Sequence, residues 1–213
     1  MNTMTMTKHI TNEERANTLT HTLGILFTLA IATPLIRMSA GASTGMLVGT
    51  ILFLVGMLTM YTSSTLYHLV LPGRHKQYLR VLDHASIYIM IAGSYSPICL
   101  GVLGGRLGWG IFIFLWLCVI AGIIGKIIAL GKHPRLSLAL YLAMGWTALT
   151  VIYPLWLKLG HDAFFAIILE GIYYSAGAYF FKHDEEHPFY HAIWHVFILI
   201  GSLCHTLALF WML

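Results

Sequence analysis

Charge is what this chain is short of. Only 9% of its residues are Asp, Glu, Lys or Arg, against about 25% in soluble domains. With 58% hydrophobic residues and a mean hydropathy of +0.79, it cannot cover itself with groups that water accepts, so it is an integral membrane protein. Cysteine is scarce too. Cys99, Cys118 and Cys204 all lie inside apolar runs and no two are spaced as Cys-x-x-Cys, which excludes a disulfide framework or a thiolate metal pair. They read as small buried hydrophobes. The alternating polarity of a transmembrane β-barrel is missing, as are low-complexity segments, obvious repeats and any soluble domain. The net charge of +4 is modest and confined to short loops. It reads as membrane topology and contact with lipid head groups, and it excludes a nucleic-acid partner. Membrane lipids are the partners implied, and no soluble protein partner is evident.

What the chain has in abundance is long apolar runs. A membrane-crossing helix needs about twenty mostly apolar residues. Seven runs qualify, at about 18–37, 44–71, 81–103, 107–130, 135–157, 162–181 and 188–212. Pro72-Gly73, Gly104-Gly105, Pro134 and Pro188 punctuate them. All should be helical, because lipid offers backbone groups no partners. The fold class is therefore an all-α seven-transmembrane helix bundle, one domain over 1–213 with a short cytoplasmic segment at 1–16. Lys8 and Arg15 followed by an apolar run and Ala40-Gly41-Ala42 resemble a secretion signal, but the run from Leu19 to Ile36 is too long. It reads as an uncleaved first span. Asn12 is the expected cap of that helix, with Glu13 and Glu14 in its first turn.

Basic residues orient the bundle. Lys8, Arg15, Arg74, Lys76, Arg80, Lys126, Lys132, Arg135 and Lys182 fall on the side of the N-terminus, while Arg37, Arg106 and Lys158 fall opposite. That asymmetry places the N-terminus in the cytoplasm and, with seven spans, the C-terminus outside. Topology then gathers residues that are distant in sequence. The second span ends at the cytoplasmic face with Ser64 and His68, the third begins there with Asp83, and the seventh begins there with His191 and His195. His191 and His195 are one helical turn apart and project from one face. Ionisable groups in such apolar segments mark function by default.

Three histidines with one open position are the pattern of a catalytic zinc site, and zinc lowers the pKa of a bound water to about 7. His68, His191 and His195 are thus the candidate ligands of Zn2+. Asp83 is the candidate catalytic acid–base group. Ser64, one turn before His68, is placed to hydrogen-bond the water or a carbonyl oxygen. Ala192 stands where a zinc protease of the His-Glu-x-x-His type carries glutamate, so that chemistry is excluded. The rival pair His183 and His187, with Asp184, Glu185 and Glu186 between them, reads as a solvated loop, because Pro188 suits a first helical turn and leaves them outside. His75, His133 and His161 sit in loops. His84 points to another face than Asp83, and His205 lies about 15 Å deeper than His195, as a hydrogen-bonding residue of the bundle. Asn17 and His21 in the first span are candidates to brace the site.

Glu14-x-x-Asn17-x-x-Thr20-His21, Ser64-x-x-x-His68, Asp83 and His191-x-x-x-His195, in that order over seven spans, resemble the haemolysin III family. That family is related to the progestin and adipoQ receptors and, more distantly, to alkaline ceramidases, in a superfamily of membrane hydrolases. The resemblance implies zinc on the residues matching His68, His191 and His195, with Ser64 and Asp83 flanking the zinc water. The expected function is a zinc-dependent membrane-embedded hydrolase of a lipid amide or ester bond in the cell membrane. The alternatives are a non-enzymatic sensor or regulator of lipid homeostasis with structural zinc, and a cytolytic haemolysin. The long N-terminal cytoplasmic domain of the eukaryotic receptors is not expected here.

Overall fold

The structure, a computed structural model, describes residues 10–129 and 134–213. Lys8, Lys132 and His133 lie outside the described residues. Within them the secondary structure is entirely helical, and seven helical stretches are long and apolar enough to cross a membrane. The helices are α1 (Asn12–Ala42), α2 (Thr44–Leu69), α3 (Arg74–Pro97), α4 (Gly105–Ala129), α5 (Pro134–Gly145), α6 (Ile152–Lys158), α7 (His161–Lys182) and α8 (Tyr190–Met212). A π-helical turn, Ile98–Leu103, prolongs the third span past Pro97. A 3-10 stretch, Trp146–Val151, joins α5 to α6 within the fifth.

Several boundaries differ from the sequence reading. The first span starts at Asn12 and the third at Arg74, six or seven residues earlier than hydropathy suggests. Polar residues continue a helix beyond the hydrocarbon because its hydrogen bonds are internal, and apolar composition marks only the immersed part. The cap of α1 is Thr11 rather than Asn12, its hydroxyl accepting from Glu14 N at 3.2 Å. Pro188 lies ahead of α8, whose cap is Phe189 in the left-handed region at φ 62°. The chain thus turns sharply before the helix, and His183 and His187 stay outside it.

Helices α2 and α3 form the spine. A Cβ on Gly93 would come within 2.8 Å of the Leu52 carbonyl oxygen, and one on Gly56 within 3.1 Å of that of Ile89, so the two backbones nearly touch. Small residues are what permits such approach between helices in lipid. A hydrogen bond from Ser63 to Ser86 at 2.9 Å sets the register and brings the end of α2 alongside the start of α3. Phe53, Met57, Tyr61, Trp194, Ile198 and Leu209 fill the space between the spine, α1 and α8.

The broken fifth span needs repair, since hydrocarbon supplies no water to unpaired backbone groups. Tyr95 supplies it: its hydroxyl donates to the Gly145 carbonyl and accepts from Ala148 N at 2.7 Å. Lys158 likewise caps the third span, donating to the carbonyls of Val102 at 3.1 Å and Leu103 at 2.9 Å. Removing one partner of a buried hydrogen bond costs about 1–3 kcal/mol. Tyr95→Phe is therefore expected to lower the thermal unfolding midpoint in detergent, while Tyr153→Phe, at a side chain 68% exposed, leaves it unchanged. Equal midpoints for the two variants would remove Tyr95 from this role.

Candidate metal centre

One end of the bundle gathers the polar residues singled out above. His68 ends α2, and His191 and His195 lie on the first two turns of α8. One ring nitrogen from each of the three lies within 4.8 Å of the others. His68 and His195 are buried and His191 is half-buried. Ring centroids are 4.6 Å apart for His191 and His195, and 5.0 and 5.3 Å from His68 to each.

What holds each ring is its Nδ1 atom. That of His68 donates to Glu14 Oε2 at 2.5 Å. That of His191 donates to Asp184 Oδ2 at 2.6 Å. That of His195 faces the Asn17 carbonyl at 3.2 Å and Thr20 Oγ1 at 3.0 Å. Carboxylates and carbonyls only accept, so each Nδ1 carries the proton and each Nε2 keeps a lone pair. This is how protein metal sites orient their histidines. His68 Nε2 is buried with no hydrogen-bond partner, an orphan that costs free energy unless something binds it. The residues present therefore fit a metal ion, and an all-imidazole set suits zinc, copper, iron or nickel rather than magnesium or calcium.

The first turn of α1 anchors all this. Glu14 joins His68 on α2 to Lys76 on α3. Its neighbour Glu13 accepts from the backbone N–H of Phe189 at 2.6 Å, holding the entry to α8. The bracing expected of Asn17 comes from its backbone carbonyl, which holds His195; its side-chain amide lies beside His68, whose Nδ1 proton is already given to Glu14. His21 stacks on His195 with centroids 3.5 Å apart and meets Tyr61 edge-on. Neither of its buried nitrogens has a partner.

Asp83 and Ser64 line a cavity together with His21, His191 and His195. Both are buried. Ser64 Oγ lies near the Asp83 carboxyl without reaching normal hydrogen-bond geometry. His84 also reaches the cavity wall, but it stands apart from the three-histidine group, its Nδ1 accepting from Lys126 at 3.2 Å. The acidic loop needs correction. His183 bonds its own helix at the Tyr179 carbonyl and His187 packs at a tilt on Tyr190, but Asp184 is no solvated bystander, since it holds His191. The sequence signal for this was a carboxylate seven residues before a histidine, across a turn whose shape Phe189 sets. Glu14 was legible as a helix-end charge and as part of the motif that carries the resemblance, but its partners were not, because its contacts with α2 and α3 are tertiary.

Protein prepared without chelators is expected to carry about one transition-metal ion per chain, measured by plasma mass spectrometry, and His68→Ala, His191→Ala and His195→Ala should each bring this to background. Asp184→Asn and Glu14→Gln should retain a site roughly 10–100-fold weaker in a competitive chelator titration. Unchanged affinity in both would show that the Nδ1 partners do not hold the ligands.

Comparison with known proteins agrees with the ordered residues. A family profile described as "Haemolysin-III related" matches residues 9–206. The chain is 39% identical over 191 residues to the "Hemolysin-3 homolog" of Bacillus subtilis (strain 168), covering 89% of each protein. It is 36% identical over 200 residues to "Hemolysin-3" of Bacillus cereus, covering 93% of this chain and 91% of that one. With the human "Monocyte to macrophage differentiation factor" it shares 30% over 166 residues, 73% of this chain and 66% of that protein. Seven apolar spans, their site residues and near full-length similarity lead to one conclusion: the chain is a multi-pass membrane protein that belongs to the haemolysin III-related family.

Proposed function

We propose that the protein is a metal-dependent hydrolase of the cell membrane, with zinc on His68, His191 and His195, that cleaves an amide or ester bond of a lipid. The observation that carries this reading is the convergence of three imidazoles, each with Nδ1 tethered and Nε2 left over. Three protein ligands leave a fourth position open, which is the pattern of catalysis rather than of a closed structural site. Zinc held there supplies Lewis acidity and a water that ionises near neutral pH.

The remaining chemistry belongs to the chain. Asp83 takes the proton of the attacking water and returns it to the leaving amine or alcohol. Ser64 donates its otherwise unpartnered hydroxyl to the carbonyl oxygen as charge develops there. His21 fixes the plane of the His195 ring by stacking on it. The apolar walls of the cavity, among them Met90, Leu142, Ile168 and Ile198, exclude bulk water and accept acyl chains. Access is sideways. Trp146 and Leu149 on the fifth span and Ile172 on α7 line the cavity and are also exposed, at 45%, 54% and 51%, so the cavity meets the lipid-facing surface between those spans. By the asymmetry of basic residues, the metal end faces the cytoplasm.

In reconstituted protein supplied with mixed lipids, mass spectrometry should detect a released fatty acid, with turnover lost on chelation and restored by zinc. Asp83→Asn is expected to keep its metal and lose roughly 10²–10⁴-fold in rate, the usual worth of positioned acid–base catalysis. Turnover of Asp83→Asn at the wild-type rate would end this mechanism. The names of the two Bacillus relatives raise a pore-forming reading, which predicts dye release from liposomes that is insensitive to chelator. The proposal expects intact liposomes.

A further inference from the structure

The far end of the cavity holds a second polar feature that the metal centre does not use. Glu170, on α7, and His205, on α8, both line the cavity wall. Glu170 Oε2 and His205 Nδ1 are 2.8 Å apart. His205 is 1% exposed and its Nε2 has no hydrogen-bond partner. Ten residues separate His195 from His205 on one helix, about 15 Å at 1.5 Å per residue. Nine residues separate Glu170 from the start of α7 at His161 and twelve from its end at Lys182, so the pair sits near mid-membrane.

Ionisable groups at that depth are expensive and mark function by default. The proton arrangement follows from the cost of net charge in hydrocarbon. The pair as a unit is neutral in three forms. One, with Nδ1–H of a neutral His205 donating to the carbonyl oxygen of a protonated Glu170, pairs the weaker donor with the weaker acceptor and is the least stable. The other two set the stronger acid against the stronger base. Either a protonated Glu170 donates to Nδ1 of a neutral His205, or the proton has moved and a carboxylate faces an imidazolium. In the former the remaining imidazole hydrogen is on Nε2, and in the latter both nitrogens carry one. Both of these forms therefore present Nε2–H to the cavity as an unmatched donor. Phe53 packs against the other side of the ring at 4.4 Å, fixing its direction.

We infer that His205 is a specificity residue that recognises a hydrogen-bond acceptor oxygen, hydroxyl or carbonyl, carried on the chain of a lipid roughly 15 Å from the group presented to the metal ligands. The favoured ligand is an oxygenated acyl chain rather than a plain one, because a plain chain leaves the buried donor unpaired. This rests on the reading that a lipid occupies the cavity. Tyr174 also lines the cavity but does not reach Nε2, which has no hydrogen-bond partner; its hydroxyl meets Ser202 at 3.3 Å.

The test is displacement of radiolabelled stearate from the protein in nanodiscs, with empty nanodiscs as the blank. The competitors are stearate, mid-chain hydroxystearate and mid-chain ketostearate. Both oxygenated acids should compete about five- to tenfold better than stearate, the worth of one net hydrogen bond. His205→Phe should bind stearate as before and lose the preference. Asp83→Asn should retain it, because the preference does not involve hydrolysis. Equal competition by all three acids in the wild-type protein, which needs no variant to fold, overturns the inference while leaving the lipid cavity in place. Preference for the hydroxy acid alone overturns the donor assignment at Nε2. Absence of specific stearate binding overturns the lipid-filled cavity itself and this inference with it.

Discussion

Hydrocarbon gives a polar atom nothing to bond, and the geometry of this protein follows from that constraint. An imidazole brings two nitrogens into the membrane, so placing three of them together means finding partners for six. Three are satisfied by Glu14, Asp184 and the Asn17–Thr20 turn. Those bonds fix the tautomers, aim the rings and leave a cluster of lone pairs that favours a cation. The same constraint accounts for Tyr95 at the break in the fifth span and for Lys158 at the end of the third. In each case a side chain stands in for the water that a soluble protein would use.

The number of spans was legible because twenty apolar residues in a row have few other uses. The meeting of His68, His191 and His195 was legible because an odd or even span count dictates which end of the bundle each residue occupies. The tethers were less so. Asn17 and Glu14 stood together in the motif that carries the resemblance, but by local pattern Glu14 and Asp184 look like ordinary charges at a helix start and in a loop. Their roles depend on how α1 leans against α2 and on the turn at Phe189, and neither is encoded by local periodicity. Glu170 left no trace in the sequence reading for a similar reason. One carboxylate in an apolar run has no local partner, and His205 lies thirty-five residues away on another helix.

The two ends of the cavity divide the labour. The histidine end is built on the Nδ1 tethers and on stacked rings. The wall toward lipid is formed by the fifth span, whose helix is interrupted where Trp146 and Leu149 face both ways. Interrupted helices beside a cavity are tolerated in membranes because local partners satisfy the backbone.

The bond from Phe189 to Glu13 joins the first turn of the first helix to the threshold of the last. Synthesis proceeds at about 5–20 residues per second, so α1 waits on the order of ten seconds or more for α8. Throughout that interval only His68 of the three histidines is in the membrane, and a lone imidazole holds a metal ion poorly. Assembly of the centre is thereby deferred to the last step of insertion. Until the chain closes on itself, the three imidazoles cannot share an ion.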